Sequence, residues 1–211
     1  MNMTEFKQVK DMTYLEYCDY LQDKYGIGIA NYMSKNFNPT HKCSRTKEGL
    51  VVHHKDEDKM IMLSTKEIAE NFPYEWQTKE HLVYCDMLEH LLLHVLICKY
   101  PSPDKVPEAV VGVGGIVNFI VPELNDMYSG WITKQDWRMA VHNKVRDDED
   151  VYIEILRMFV EFGEPHGLKK DVLHTSLNED FGLWSKAKNK AIYKKIDKLW
   201  KKKGLFAWLF G

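Results

Sequence analysis

The sequence predicts an α+β fold that is mostly helical, and three observations support this prediction. Long stretches carry apolar residues at the spacing of helices, whereas one short β-branched run, residues 49–52, is typical of a strand. Hydrophobic residues make up 45% of the 211 residues, which is enough for a sizeable core. Charged residues make up 28%, an ordinary fraction that excludes extensive disorder.

The first part of the chain contains a helical segment, a loop and a strand. Apolar and aromatic residues recur at helical spacing over residues 4–34, which predicts one or two helices interrupted near Gly26. Residues 36–48 are polar, include a proline and predict a loop. Residues 49–52 lead directly into two adjacent histidines, so we expect both histidines at the end of a strand.

The rest of the chain is predicted to be mainly helical. A short helix is expected near Thr65–Glu70. The later part of His81–Lys99 is apolar nearly all round, which is typical of a buried helix. Residues 109–122 are apolar and glycine-rich, and residues 131–162 and 169–203 again have helical spacing.

Three prolines between positions 101 and 107 mark the clearest boundary in the chain. They divide it into a helical segment (1–42), a central motif (43–100) and a mostly helical part with a basic tail (101–211). We expect the three parts to pack as one globular unit.

Cysteine usage and hydropathy are typical of a cytoplasmic protein. The four cysteines form no C-x-x-C pair, and a 24.9 kDa chain does not need disulfides, so we expect reduced cysteines in the core. The first residues are polar and charged, unlike a signal peptide. No apolar stretch approaches the ~20 residues of a membrane span.

Charge is distributed unevenly along the chain. From Phe181 to the end there are nine lysines and one acidic residue, giving +8, so the preceding 180 residues carry −10 in a chain of net charge −2. A basic helix of this kind could lie along a phosphate backbone, lie on an anionic membrane surface or pack on the acidic body. The lysines predicted to contact nucleic acid are Lys186, Lys190, Lys194, Lys198, Lys201 and Lys202.

Five of the nine histidines lie in one stretch, and their spacing predicts a metal site. His90 and His94 are four residues apart on one helix face, and Asp86, four residues earlier, could orient His90. Buried imidazoles need partners, and a divalent ion is a suitable one. His53 and His54 point to opposite sides of the strand, so one can bind a metal while the other acts on water.

This layout resembles the HNH nuclease motif, also called the ββα-metal or His-Me finger, and is especially similar to the bacterial colicin DNases. The shared features are a strand ending in two histidines, a loop, a central polar residue and a helix with H-x-x-x-H. The family's central residue is Asn. The corresponding position here, nine residues before His90, holds His81, and an apolar pair follows it. The resemblance covers about residues 43–98.

The resemblance implies a small ββα-metal core embedded in α-helices and gives each of the five histidines a role. His53, His90 and His94 would ligate one divalent ion (Zn, Mg, Mn or Ni). His54 would be the general base that activates water, and His81 would orient it through a hydrogen bond. The implied protein is a DNA endonuclease of bacterial or phage origin, acting in the cytoplasm of a bacterial or phage-infected cell. RNA or a protein is the other partner to consider.

Two other functions stay open. His81 in place of Asn favours a catalytically weak or inactive HNH-like metal-binding protein of phage or mobile-element origin. Such a protein would act on bacterial defence or regulation by binding a protein or a nucleic acid. A purely helical interaction protein with a basic tail would need no metal. The acidic run at positions 56–58 could supply a carboxylate to the metal or to the base, although we expect it to be a solvated loop.

Overall fold

The computed structural model describes residues 1–200, and it confirms the mostly helical α+β fold. Within this range the helices are α1 (Met3–Val9), α2 (Tyr14–Tyr25), α3 (Lys66–Ala69), α4 (Met87–Lys99), α5 (Val113–Gly115), α6 (Val121–Tyr128), α7 (Asp136–Asn143), α8 (Glu149–Gly163) and α9 (Lys190–Asp197). A π-helical turn, Ile116–Ile120, joins α5 to α6. The strands are β1 (Val51–His54) and β2 (Leu82–Cys85).

The N-terminal segment forms two helices, as its spacing predicts, and local signals set the bounds of the second one. Helix α2 begins with a capping box, in which the Thr13 hydroxyl accepts from the Glu16 amide and the Glu16 carboxylate accepts from the Thr13 amide. It ends at Gly26, whose φ of +83° lies in the region that favours glycine. The helix therefore begins and ends where the sequence provides a cap.

The two strands and helix α4 form one continuous strand–strand–helix unit. Strands β1 and β2 pair antiparallel, with Val51 opposite Cys85 and His54 opposite Leu82. A single residue, Asp86, separates β2 from α4, and it caps the helix by accepting from two backbone amides of the first turn. This short connection fixes the first turn of α4 close to the sheet.

Helix α4 runs through the centre of the molecule. Its apolar side chains are buried on all faces, and the helix contacts α2, α8 and the π-helical turn. One hydrophobic core includes residues from all three predicted segments, for example Phe6, Leu91 and Ile155. The three segments are therefore packed together around α4.

No helix among residues 1–200 combines the length and apolar character that crossing a bilayer requires.

The C-terminal segment is less helical than its spacing predicts. Over 169–200, the described part of the predicted segment 169–203, the structure has 3-10 turns and the short helix α9. The chain before α9 is bound to the rest of the protein through side chains. The buried carboxylate of Asp126 accepts hydrogen bonds from the amide groups of Asn178 and Asn189. Gly182, with a φ of +65°, also interrupts the helical spacing. These contacts tie the segment to α6 in an irregular conformation.

Candidate metal centre

The strand–strand–helix unit brings the side chains of His53, His90 and His94 together. Each histidine offers one ring nitrogen, and these nitrogens lie within 4.8 Å of one another. The Nε2 atoms of His90 and His94 are 3.2 Å apart, and the His53 ring packs edge-on against both. His53 and His94 are buried and His90 is partly buried. This group could hold a metal ion, as the spacing of the histidines predicts.

In His53 and His94, one ring nitrogen forms a hydrogen bond away from the three-histidine group. The other nitrogen of each ring is therefore left to bind a metal. The Nδ1–H group of His94 donates to the carbonyl oxygen of Gly112 at 3.2 Å, so its Nε2 carries the lone pair. The Nε2 atom of His53 is 2.8 Å from the Tyr14 hydroxyl, while its Nδ1 is buried without a hydrogen-bond partner. Outer partners of this kind fix the tautomer and orientation of metal-binding imidazoles. The unpartnered Nδ1 and the set of three imidazoles both fit a divalent ion.

Burial keeps the three imidazoles uncharged at neutral pH. It lowers the pKa values of His53 and His90 well below 6.5, and neighbouring histidines lower them further. Burial also lowers the pKa of His94 to about 4, against an opposing effect of its hydrogen bond to Gly112. Neutral imidazole is the form that binds a metal, so none of these three imidazoles has to lose a proton at pH 7.

Glycines after α4 allow the chain to pack directly on the His94 ring. Gly112 has a φ of +81°, a conformation that other residues rarely adopt. A Cβ atom on Gly115 would lie 2.3 Å from Cε1 and 2.5 Å from Nδ1 of His94, so only glycine fits beside the ring. The apolar, glycine-rich stretch therefore positions a predicted metal ligand.

We expect Gly115→Ala to weaken metal binding, because the new methyl group displaces the His94 ring. The expected loss of Zn²⁺ affinity is about 10–100-fold, the range seen when outer contacts of a ligand are changed. Isothermal titration of the metal-free protein with Zn²⁺ measures it. Gly114→Ala is the matched control, since the nearest atom to its Cβ would be Asn118 Nδ2 at 3.9 Å. Equal losses in the two variants would contradict the role of Gly115.

His54, the predicted general base, is buried and held by residues that the sequence analysis did not single out. Gln77 donates its amide N–H to the carbonyl oxygen of Leu63, so its Oε1 is left to accept from His54 Nε2 at 3.3 Å. The Nδ1 atom of His54 consequently carries the lone pair. The ring of Tyr32 packs edge-on against His54 at 4.5 Å. Burial lowers the pKa of His54 to about 4, so this side chain is neutral at pH 7.

The His81 ring forms its hydrogen bond with Asp56 and not with His54, which is the partner that the HNH resemblance implied. The Nδ1 atom of His81 is 2.6 Å from Asp56 Oδ2, and Lys59 binds the other oxygen of the same carboxylate. The reason is local, because His81 ends a 3-10 turn before β2 and its ring meets the turn that follows β1. The contact to His54 that was assigned to His81 is made by Gln77. A buried glutamine in a loop gives no periodic signal that would have identified it.

Asp86 also differs from its predicted role beside His90. Its carboxylate accepts from the amides of Leu88 and Glu89, and it forms an ion pair with the amino group of Met1. Glu89 completes a capping box by accepting from the Asp86 amide at 2.7 Å. Asp86 therefore positions α4, and through the helix it positions the histidines without touching their rings.

The acidic run after β1 is not the solvated loop that was expected. Asp56 and Asp58 are buried, and the Glu57 side chain is only 19% exposed. Glu57 turns toward the histidines, with Oε2 3.6 Å from His53 Nδ1 and 3.5 Å from His94 Nε2. Burial raises the pKa of Glu57 to about 8. Its position three residues after His54, in the short acidic run 56–58, is the sequence signal that points to it.

The predicted nucleic-acid-binding lysines are exposed where the structure describes them. Lys186, Lys190, Lys194 and Lys198 face solvent, while Ile192 and Ile196 on the other face of α9 are buried. The first three of these lysines border an open groove of about 490 Å³ that also contains His174, Tyr193 and Asp197. Lys201 and Lys202 lie outside the described residues.

No protein-family model, curated protein or solved structure matches the chain. The HNH resemblance therefore rests on the histidines themselves and on their arrangement in the strand–strand–helix unit.

Proposed function

We propose that the chain is a metal-dependent endonuclease of the HNH type that hydrolyses phosphodiester bonds in DNA. One observation carries the proposal. Nitrogens of His53, His90 and His94 converge from a strand and the following helix, and His54 is the next residue on that strand. The strand order and the position of the helix agree with the ββα-metal motif that the sequence resembles.

Phosphodiester hydrolysis requires a metal ion and a general base, and different residues of the site would provide them. A divalent ion held by the three histidines would supply the positive charge that stabilises the transition state and the leaving oxygen. His54 is uncharged at pH 7, and its Nδ1 lone pair can accept a proton from water. Gln77 holds the His54 ring in that tautomer by accepting from Nε2–H.

The exposed lysines of the C-terminal segment support a polyanionic substrate. They lie on the exposed face of α9 and of the turn before it. A row of lysines gives salt-dependent binding that does not depend on base sequence. DNA is a phosphodiester polyanion and is the substrate proposed for this site.

A cleavage assay with a series of metals tests the proposal. Metal-free protein is incubated with supercoiled plasmid, single-stranded DNA and RNA, each with Mg²⁺, Mn²⁺, Zn²⁺ or Ni²⁺. We expect nicking of plasmid that requires an added ion and stops with EDTA. Protein that binds the ion stoichiometrically but cuts none of these substrates would overturn the nuclease proposal.

A second candidate is an HNH-like metal-binding protein that acts by binding a protein or a nucleic acid without cleavage. The burial of His54 favours it, because only 2% of this residue is exposed and water must reach a general base. Its low pKa also makes it a weaker proton acceptor than a solvated imidazole. Stoichiometric metal without cleavage is the result that this candidate predicts.

A further inference from the structure

We infer that Glu57 is a fourth protein ligand of the metal ion, so that the centre is a His₃Glu site selective for zinc-like divalent ions. The inference rests on the metal centre of the proposed function and adds a ligand that neither the histidine spacing nor the HNH resemblance implies. It would hold for a catalytic site and for a structural one.

The distances between the candidate ligand atoms carry the inference. In a tetrahedral site with bonds of ~2.0–2.2 Å, ligand atoms lie about 3.3–3.6 Å from one another. Nε2 of His90 and Nε2 of His94 are 3.2 Å apart, and Glu57 Oε2 is 3.5 Å from His94 Nε2 and 3.6 Å from His53 Nδ1. These three separations are close to the edges of one coordination shell. Hydrogen bonding does not explain the two Glu57 separations, because both are too long for good hydrogen bonds.

No positively charged side chain among the described residues explains why Glu57 turns toward the histidines. Among residues 1–200, its ion-pair neighbours are three imidazoles, with no lysine or arginine. The adjacent Asp56, in contrast, is bound by Lys59 and His81. His53 Nδ1, in a residue only 1% exposed, faces Glu57 without a hydrogen-bond partner. A buried carboxylate and an unpartnered imidazole nitrogen are both costly, and one divalent ion between them would satisfy both.

The donor set determines the class of ion. Three imidazoles and one carboxylate suit Zn²⁺ and related borderline ions such as Co²⁺ and Ni²⁺, whereas Mg²⁺ prefers oxygen ligands and keeps several waters. A site with four protein ligands retains zinc firmly, and zinc can expand to five ligands during a reaction. We therefore expect Zn²⁺ to bind much more tightly than Mg²⁺.

Metal titration of Glu57→Gln tests the inference without measuring cleavage. Metal-free wild type, Glu57→Gln and the exposed control Glu70→Gln are titrated with Zn²⁺, and the Co²⁺ complexes are compared by visible absorption. We expect Glu57→Gln to lose more than about tenfold in Zn²⁺ affinity, the lower end of what the loss of an outer partner costs. We also expect its Co²⁺ spectrum to change, while Glu70→Gln behaves as wild type.

The thermal midpoint of the metal-free proteins separates a ligand from a structural carboxylate. If Glu57 is a ligand, metal-free Glu57→Gln is at least as stable as wild type, because a buried carboxyl has become a neutral amide. Unchanged Zn²⁺ affinity and Co²⁺ spectrum in Glu57→Gln would overturn the inference. A wild type that binds zinc but cuts no DNA would leave it intact, so its failure and that of the nuclease proposal are distinguishable.

Discussion

Replacing His90 by alanine is expected to abolish stoichiometric metal binding. His90 supplies one of three converging nitrogens, and its Nε2 lies 3.2 Å from that of His94. Removing a direct ligand should cost more than the ~10–100-fold loss in affinity that follows from changing an outer contact. Titration of metal-free protein with Zn²⁺, together with metal analysis of the purified protein, gives the affinity and the stoichiometry.

The same variant should lose the stabilisation that the metal provides. An ion at 100 times its dissociation constant stabilises the folded state by about 2.7 kcal/mol, which corresponds to roughly 5–11 °C in Tm for a chain of this size. His90→Ala should show no such increase when Zn²⁺ is added. The matched control is His166→Ala, an exposed histidine bonded to the carbonyl oxygen of Phe162. One tightly bound equivalent of Zn²⁺ in His90→Ala would refute the three-histidine site.

Replacing His54 by alanine is expected to reduce the cleavage rate strongly while leaving the metal in place. His54 contacts Gln77 and Tyr32, and it is not one of the three converging histidines. General-base catalysis contributes typically about 10²–10⁴-fold, so the nicking rate of supercoiled plasmid should fall by that factor. The Zn²⁺ affinity should remain close to that of wild type.

Two measurements on one preparation make the His54 experiment decisive. The nicking rate is measured with the most active ion, and the bound ion is counted on the same sample. His166→Ala again serves as the control, since it removes an exposed imidazole that lies outside the site. Cleavage at the wild-type rate by His54→Ala would remove the general-base mechanism, even if the metal site were present.

The convergence of the three candidate metal ligands could be predicted from the sequence because each histidine depends on one regular element. A four-residue spacing places His90 and His94 on one face of any helix, and alternation separates His53 from His54 on any strand. The two strands and α4 follow each other with a single residue between β2 and the helix. Local geometry was therefore sufficient for this part of the site.

The residues that complete the site could not be predicted, because they lie on irregular segments. Glu57 follows β1 on a 3-10 turn, and Gln77 lies in another, so no spacing rule gives the direction of either side chain. Counting back from His90 singled out His81, and the structure places this residue just before β2. Its ring direction was decided by the buried carboxylate of Asp56, which no sequence pattern reveals.

The helical content predicted for the C-terminal segment was too high, for a related reason. The segment 169–203 was predicted to be mainly helical, yet Asp126, more than forty residues earlier, binds Asn178 and Asn189. A long-range polar contact of this kind overrides the local preference for helix, and the spacing of apolar residues gives no sign of the contact. The amphipathic character of α9 itself was predicted and is present.

The shared core has a consequence for how such a site can be inherited. Helix α2 packs on β2, and α8 packs on α4, so the strand–strand–helix unit is covered by chain from both flanks. Recombination that moved residues 43–100 into another protein would transfer the ligands without the packing that orients them. A piece that could be transferred as a working module would therefore have to include α2 and α8 as well as the strand–strand–helix unit.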